Sequence, residues 1–453
     1  MNKRVKLNRY TCRRIFDDAT YLENQVNHVF RMYTGREKSF VDTLSYDFKN
    51  VEIDESIASQ LCDLWFITFE GDVETPFSYS SKYEIEERFG KIASSDTLPN
   101  GKPWLKTIQI ELTDACNERC VHCYLPNKKK DAAKSLSVSQ VKGILSQFRE
   151  NNGVKVIFSG GEILLHRQLK EILDYCREIE LMIFLQTNLL LFRHEDIEYF
   201  RSLELFNVQV SLYSTCADEH DSITSVKNSW VRTKRNIELF VRNNIPLMIS
   251  CPIMRQNSKA VKNIKEYADS LGVDCYFDAI MMAQTGGSTS NLDVRIPECE
   301  SEGVMRSLIE TRPDYMDAIT SSKDMDELLT KRFARRMSTC KIMDSGVCVD
   351  SDGTIYPCPG WNQLSLGNIN TDSLLDIWEN NRMTECLRGL VPAEFKKCVK
   401  CNLKNFCDMC PVYNYNENGT IDTPASIFCI RASKLKSVVV NIFEEFHKKN
   451  DKL

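Results

Sequence analysis

The pattern of apolar and polar positions divides the chain into three parts, and the middle part is the most regular. Between residues 105 and 285 there are six apolar runs of strand length: TIQIEL (107–112), VKVIF (154–158), LMIFLQ (181–186), FNVQVSL (206–212), PLMISCPI (246–253) and VDCYFDAIM (273–281). Amphipathic helical patterns separate them, for example at 138–149, 168–177 and 233–243. Strands that alternate with helices predict βαβ units and a parallel sheet. Six such units suit an open, partial barrel, with the chemistry at the carboxyl ends of its strands.

The flanking parts have different patterns. In residues 1–100, Leu7–Phe16 predicts a strand, and apolar residues at 57, 61, 64 and 65 recur at helical spacing before a turn-rich stretch at 94–101. After about residue 286 the alternation stops. A helical connector over 298–335 leads to a cysteine-rich region of short strands and turns, and a final helix is predicted over 432–448. We therefore expect an N-terminal module at 1–100, a core at 101–297, and a connector with a C-terminal domain at 298–453.

Composition excludes several classes of protein. Of the 453 residues, 42% are hydrophobic and 27% charged, as in ordinary globular proteins. A net charge of −5 gives no reason to expect nucleic acid or an anionic membrane as a partner. No segment approaches the roughly 18 uninterrupted apolar residues of a membrane span, and no apolar run follows the basic first residues as in a signal peptide. The expected location is the cytoplasm.

The cysteine content changes the picture. There are 19 cysteines, three of them within 116–123 and nine between 340 and 429. Disulfides are rare in the cytosol, so clustered cysteines there indicate metal binding or chemistry. The others are scattered, and we interpret them as small buried apolar residues: Cys12, Cys62, Cys176, Cys216, Cys251, Cys275 and Cys299.

The first cysteine group directly follows the first predicted core strand. Its spacing is Cys116-x3-Cys120-x2-Cys123. Three thiolates on one tight loop can each bind one iron of a cubane cluster, which leaves the fourth iron open to a cofactor or substrate. The alternative is zinc, which in structural sites takes four ligands. His122, between two of the cysteines, would be strained as the fourth.

This spacing, after the first strand of a six-unit β/α pattern, resembles that of the radical S-adenosylmethionine (SAM) superfamily. The resemblance implies a [4Fe–4S] cluster that cleaves SAM reductively, so that a 5′-deoxyadenosyl radical removes a hydrogen atom from the substrate. It also implies SAM contacts at the ends of strands two to four and beside the third cysteine. The residues at these positions are Tyr124, Gly160, Gly161, Glu162, Thr187, Asn188 and Ser211. Many relatives bind the SAM carboxylate with an arginine where this chain has Ser225 and Lys227, so that partner is left open. No catalytic proton acceptor is predicted.

The second cysteine group resembles the SPASM domain, a C-terminal extension that carries two auxiliary [4Fe–4S] clusters. Its pattern is Cys340-x12-Gly353-x4-Cys358, then Cys398-x2-Cys401-x5-Cys407-x2-Cys410, then Cys429. Asp352-Gly353 predicts a hairpin turn before Cys358. The resemblance assigns the second auxiliary cluster to Cys398, Cys401, Cys407 and Cys429, and the first to Cys340, Cys358 and Cys410. Cys348 or Cys386 completes the first cluster, or its fourth iron is open. Two zinc sites are the alternative for the whole group.

Together these resemblances imply an α/β fold and an enzyme. The expected fold is a partial (βα)6, TIM-like radical SAM barrel between an N-terminal winged-helix-like module and a C-terminal SPASM domain, with three [4Fe–4S] clusters. Residues 1–100 resemble, in length and pattern, modules that capture a leader peptide by strand addition; a structural cap is the alternative. The stretch FSGGEILLHRQLKEILDYC (158–176) resembles sactipeptide-forming enzymes.

Our hypothesis is an oxidoreductase that matures a ribosomally made precursor peptide. It would form a thioether, with an auxiliary cluster accepting an electron and a flavodoxin or ferredoxin supplying one. Other products remain open: carbon–carbon or carbon–oxygen links, an epimerised residue, or formylglycine in a sulfatase. The non-enzyme alternative is an iron–sulfur or zinc scaffold.

Overall fold

The computed structural model describes residues 2–26, 29–72, 97–125, 133–330 and 343–450. Among the predicted features, Cys340, the end of the connector at 331–335 and residues 94–96 of the turn-rich stretch lie outside the described residues.

In its described residues, the N-terminal module has two small antiparallel sheets and two helices. One sheet has the order β5-β1-β6 and the other β2-β3-β4. The elements are β1 (Asn2–Leu7), β2 (Thr11–Ile15), β3 (Ala19–Asn24), β4 (Phe30–Thr34), α1 (Gly35–Thr43), β5 (Lys49–Glu52), α2 (Glu55–Asp63) and β6 (Ile67–Phe69).

Two local predictions for this module were wrong in detail. The strand predicted over Leu7–Phe16 is two strands, because the side chain of Asn8 accepts a hydrogen bond from the amide of Tyr10 and turns the chain. The predicted helix stops before Trp65, which has a left-handed φ of +60°. The amide of Phe66 donates to the carbonyl of Leu61, which closes the helix end in the manner of a Schellman motif.

All six predicted core strands are present, and adjacent ones pair in parallel in chain order. They are β7 (Thr107–Thr113), β8 (Lys155–Gly160), β9 (Met182–Thr187), β10 (Asn207–Ser211), β11 (Leu247–Pro252) and β12 (Asp274–Asp278). The predicted parallel sheet is therefore confirmed. The helices of this region are α3 (Val138–Glu150), α4 (Leu169–Glu178), α5 (Ile197–Ser202), α6 (Ala217–Thr224), α7 (Ser229–Arg242) and α8 (Val261–Leu271).

The cysteine-rich region extends this sheet. The connector forms α9 (Glu298–Glu310), α10 (Pro313–Ser321) and α11 (Met325–Leu328). After it, β13 (Gly346–Val349) pairs in parallel with β7, and β14 (Thr354–Tyr356) pairs antiparallel with β13 through the predicted turn at Gly353, whose φ is +85°. The sheet ends at β15 (Gly367–Asn368). The nine strands therefore join the two cysteine regions in one sheet.

The remaining helices lie in the C-terminal part. They are α12 (Leu374–Asn380), α13 (Arg382–Arg388), α14 (Pro411–Asn418) and α15 (Ser426–Asn450), the last of which begins six residues before the predicted start. One hydrophobic core spans the barrel strands, the connector and these helices. Within the described ranges, no helix combines the length and the apolar character needed to cross a bilayer.

Arg14 joins the N-terminal module to the barrel. Its side chain is only 1% exposed and donates to the carbonyls of Gly153 (2.8 Å) and Glu180 (2.7 Å), which follow the ends of α3 and α4. A cation at helix carboxyl ends is favoured by the helix dipole, and hydrogen bonds from a charged donor are the stronger kind.

We predict that Arg14→Leu lowers the free energy of unfolding by about 3 kcal/mol, because it leaves the carbonyls of Gly153 and Glu180 without their charged donor. The urea midpoint of the purified protein measures this. Arg36→Leu is the control, since that side chain is 85% exposed and its ion pair with Asp54 is worth less than about 1 kcal/mol. Equal shifts in the two variants would contradict the role given to Arg14.

Candidate functional site

The first cysteine group lies on the loop at the carboxyl end of β7. Cys116 is buried and Cys120 and Cys123 are half-buried. The amide of Cys123 donates to the carbonyl of Cys120 (3.1 Å), and the amides of Arg119 and Val121 donate to carbonyls at the end of α6. The loop is therefore held against the end of α6, and its three thiols lie within eight residues of the chain.

Two glycines let the end of β8 pass directly against this loop. The amide of Gly161 donates to the carbonyl of Thr113 (2.7 Å), and the next amide donates to the carbonyl of Ala115 (2.8 Å). Gly160 has a φ of +123°, and a Cβ there would overlap with the carbonyl of Thr113 at the end of β7. A Cβ on Gly161 would overlap with the carbonyl of Ala115 on the cysteine loop. The backbone contacts alone therefore require glycine at both positions. The contact of these glycines with SAM stays a prediction.

Glu162 ties the ends of β8 and β9 together. Its carboxylate is 1% exposed and accepts hydrogen bonds from the Thr187 hydroxyl (2.6 Å) and from the amides of Leu164 (3.0 Å) and Asn188 (2.7 Å). Burial raises the pKa of Glu162 to about 7, against the effect of these donors. The Asn188 side chain in turn donates to the side chain of Asn117 on the cysteine loop (2.9 Å). The structure thus brings four of the predicted site residues together: Gly161, Glu162, Thr187 and Asn188.

Tyr213 contacts the loop and was not predicted. It lies two residues beyond Ser211 at the end of β10, and its hydroxyl donates to the sulfur of Cys120 (3.8 Å). Burial, followed by the nearby Cys120, raises its pKa well above the usual value. An aromatic residue immediately after a barrel strand was the only signal in the sequence.

A buried polar chain behind the loop was also missed. The Ser229 hydroxyl donates to the carboxylate of Glu118 (2.7 Å) and lies 3.2 Å from Nε2 of His220, whose Nδ1 accepts from the amide of Tyr213. Burial lowers the pKa of His220 to about 4, so the ring is neutral near pH 7. These contacts fix the segment after β10 against the cysteine loop.

Tyr124 lies between the two cysteine regions. Burial, the negative charge of Glu111 and the thiols of Cys123, Cys348 and Cys358 raise the pKa of its hydroxyl well above the usual value. Its carbonyl accepts from the amide of Thr285 (2.9 Å). Tyr124 therefore lies near both cysteine regions, although Tyr124, Cys123 and Cys358 are only half-buried, and the expected contact of Tyr124 with adenine stays a prediction.

The auxiliary cysteines fall into two sets. Burial raises the pKa of Cys398, and the nearby thiols of Cys401 and Cys429 raise it further. Burial also raises the pKa of Cys407 to about 11, with Cys429 and Cys398 among the further causes. The four predicted ligands of the second cluster therefore lie near one another, with Cys398 and Cys407 buried and Cys429 exposed, but they do not converge on one metal position.

The second set lies around the hairpin. Burial raises the pKa of the Cys348 thiol on β13, and the nearby groups Glu111 and Cys358 raise it further. Burial raises the pKa of the Tyr413 hydroxyl well above its usual value, and the nearby thiols of Cys410 and Cys358 add to this effect. Cys348 is buried and lies near the half-buried Cys358, whereas Cys386 lies on α13 and is exposed.

The donor chemistry fits iron–sulfur clusters. None of the 18 cysteines in the described ranges forms a disulfide, so their sulfurs are available as ligands. In the same ranges, no three or more His, Cys, Asp or Glu side chains converge on a single metal position. Thiolates are the ligands of iron–sulfur clusters. The three thiols after β7 lie on a partly buried loop that the glycine contacts hold in place.

Comparison with known proteins agrees with this site. Residues 110–268 match the radical SAM superfamily, and residues 340–411 match an iron–sulfur cluster-binding domain, SPASM. The AdoMet-dependent heme synthase of Methanosarcina barkeri is 26% identical over 69% of this chain and 93% of its own length. The antilisterial bacteriocin subtilosin biosynthesis protein AlbA of Bacillus subtilis is 26% identical over 68% of each chain.

A solved structure extends the likeness to nearly the whole chain. Streptococcus suis SuiB bound to its precursor peptide SuiA superposes with a TM-score of 0.61, covering 94% of this chain and 100% of SuiB. The sequence identity is 15%, so this likeness concerns the fold alone.

We predict that Gly161→Ala strongly reduces the iron bound by the reconstituted protein, because the new methyl group displaces the cysteine loop. Iron content and the electron paramagnetic resonance (EPR) signal of the reduced protein measure this. Gly143→Ala is the control: it lies within α3 with nothing within 4 Å of the added Cβ, and alanine is favoured there by up to about 1 kcal/mol. Full iron loading of Gly161→Ala would contradict the packing argument.

Proposed function

We propose that this chain, which belongs to the radical SAM superfamily and carries an SPASM iron–sulfur domain, is an enzyme that matures a ribosomally made precursor peptide. The observation that carries the proposal is the parallel pairing of β13 with β7. It sets the loop of Cys116, Cys120 and Cys123 and the hairpin cysteines on neighbouring strands. A site of hydrogen abstraction and a site for an electron acceptor are thereby adjacent.

In this proposal the residues divide by cofactor. Cys116, Cys120 and Cys123 hold the SAM-binding cluster. The SAM contacts come from the carboxyl ends of β8, β9 and β10 and from the loop, and the residues are Tyr124, Gly160, Gly161, Glu162, Asn188 and Ser211. With SAM bound, this cluster supplies the 5′-deoxyadenosyl radical that abstracts hydrogen.

Two auxiliary clusters, together with the SAM-binding cluster, give three [4Fe–4S] clusters in all. Cys398, Cys401, Cys407 and Cys429 hold one, and Cys340, Cys348, Cys358 and Cys410 hold the other. Cys348 is preferred to Cys386 because it lies on the hairpin strand β13, near Cys358.

The proposed product is a thioether between a cysteine sulfur and another residue of the peptide. Its formation removes one hydrogen atom from carbon, one proton from the thiol and one further electron, for which an auxiliary cluster is the acceptor. A flavodoxin or ferredoxin supplies the electron that cleaves SAM. Carbon–carbon or carbon–oxygen links, epimerisation and formylglycine formation are the alternative outcomes.

The N-terminal module supports a peptide as the substrate. Sequence identity does not distinguish a peptide substrate from another substrate, since the heme synthase and the bacteriocin biosynthesis protein are both 26% identical to this chain. The likeness to SuiB, in contrast, spans nearly the whole chain. In the described ranges β5 and β6 pair only with β1, so each has an outer edge that can accept a strand. We propose that residues 1–100, as a winged-helix-like module, bind the leader of the precursor in the cytoplasm.

We predict that Cys116→Ala, Cys120→Ala and Cys123→Ala abolish formation of 5′-deoxyadenosine, because each removes a ligand of the SAM-binding cluster. Cys398→Ala should lose peptide product while retaining some SAM cleavage. Anaerobic assays with dithionite measure both, and Cys299→Ala, an exposed thiol on α9, is the control. Wild-type protein should contain about twelve irons; stoichiometric zinc or full product from Cys398→Ala would refute the assignment.

A second prediction concerns the product. Co-expression with a precursor peptide encoded beside this chain should give a peptide lighter by two hydrogen atoms per cross-link, because thioether formation is a two-electron oxidation. Tandem mass spectrometry locates the link, and alkylation counts the remaining thiols. Loss of mass with all thiols still alkylated would instead support a carbon–carbon or carbon–oxygen link, and an unchanged mass would leave epimerisation, which deuterium incorporation detects.

A further inference from the structure

The sixth barrel strand, β12, has a free edge. In the part of the chain that the structure describes, it pairs with β11 only. The carbonyl of Asp278 accepts from the amide of Ile253 (2.6 Å), whereas the carbonyl of Ser250 accepts from Leu212 on the opposite side of β11. Since hydrogen bonds alternate along a parallel pair, the amide and carbonyl groups of Cys275 and Phe277 face away from β11. They offer backbone partners to an added strand.

This edge borders a groove of about 490 Å³. The opposite wall is formed by α9, α10 and α15, which contribute apolar side chains such as Ile309 and Leu435. Tyr276 of β12 also lines it and is 55% exposed, an unusual exposure for an aromatic strand residue. The groove thus combines an open backbone edge with an apolar opposite wall, the two features that strand addition uses.

The charges that line the groove have one sign. Its ionisable lining side chains other than cysteine and tyrosine are Lys265, Arg312 and Arg431. Each has an acidic partner, Asp269, Asp314 and Asp408 respectively, but none of these acids lines the groove. In addition, the Nε–H of Arg431 is buried and has no hydrogen-bond partner. An occupant that brings carboxylates would complete this surface.

The groove leads to the candidate site. The carboxyl end of β12 lies at the same end of the sheet as the cysteine loop. The segment that follows β12 contacts that loop, since the side chain of Asn291 donates to the carbonyls of Met282 (2.8 Å) and His122 (3.2 Å). A strand added along Cys275 and Phe277 therefore runs towards the three cysteines.

We propose that this groove binds an extended, acidic segment of the peptide substrate by strand addition to β12. The identity of the partner rests on the proposed function, whereas the binding chemistry does not. The site is separate from the N-terminal module, so a precursor has two points of attachment, and the groove sets the direction in which it enters the barrel mouth.

A backbone test uses a fluorescein-labelled hexapeptide of alternating valine and aspartate, with fluorescence anisotropy on the reconstituted enzyme. Cys275→Pro removes the outward amide and should weaken binding about fivefold or more. Cys275→Val keeps the amide and is the matched control. Equal affinity of the two variants overturns the proposal.

A charge test covers the case in which the proline variant does not fold. Arg312→Glu should weaken binding about fivefold, and the same exchange at the exposed Arg201 on α5 should not change it. The lysine counterpart of the probe should bind wild type more weakly than the aspartate probe. Equal binding of both probes, or equal effects of the two substitutions, overturns the proposal.

Activity separates this inference from the proposed function. Formation of 5′-deoxyadenosine without peptide should be unchanged in Cys275→Pro and Arg312→Glu, while the KM for a modified precursor rises. If no precursor is modified by wild type but the probe binds as described, the proposed function fails and the groove stands. If precursor is modified with an unchanged KM in both variants, the groove proposal fails alone.

Discussion

The parallel pairing of β13 with β7 is the constraint on which the rest of the structure depends. Strand β7 would otherwise be an edge, because it is the first strand of the barrel. The amides of Lys106 and Thr107 both donate to the carbonyl of Ser345 (3.0 and 2.9 Å), and β13 continues alongside from Gly346. A Cβ at Gly346 would lie 3.1 Å from the carbonyl oxygen of Thr107, so glycine permits the close start of this pairing. As a result, β7 carries the first cysteine loop at its end and the cysteine hairpin at its side.

The loop itself is positioned by backbone contacts on one face and a buried carboxylate on another. The glycines at the end of β8 allow main chain to meet main chain, which leaves little room for the loop to shift. Glu162 and Glu118 are both buried, and both accept hydrogen bonds from elements distant in sequence, Thr187 and Ser229. Burying a carboxylate is unfavourable unless donors surround it. These two groups therefore make the loop geometry depend on the correct assembly of β8, β9 and α7.

Sequence reasoning worked where the signal was local. The six barrel strands, the turn at Gly353 and the final helix follow from periodicity and turn residues, which neighbouring positions determine. The pairing of β13 with β7 joins residues about 240 positions apart and leaves no periodic signal. The contacts of Glu118 with Ser229 and of Tyr213 with Cys120 also join residues distant in sequence, 111 and 93 positions apart, and leave no periodic signal. Cys348 and Cys386 could not be ranked from spacing; the burial of one and exposure of the other distinguish them only once the hairpin is folded.

The segment after β12 contacts both the cysteine loop and α14, and so links the two cysteine regions. Asn291 holds it to the cysteine loop, and the guanidinium of Arg295 forms a two-pronged ion pair with Glu417 on α14, which begins immediately after Cys410. Both side chains of this pair are largely buried. Loss of one partner from such a pair leaves an uncompensated charge and is far more costly than loss of a surface pair. The distance between the loop and the auxiliary cysteines is therefore fixed by the sheet on one side and by this ion pair on the other. In the proposed function, an auxiliary cluster that accepts an electron from the substrate would therefore be held at a set position, which a flexibly attached domain could not provide.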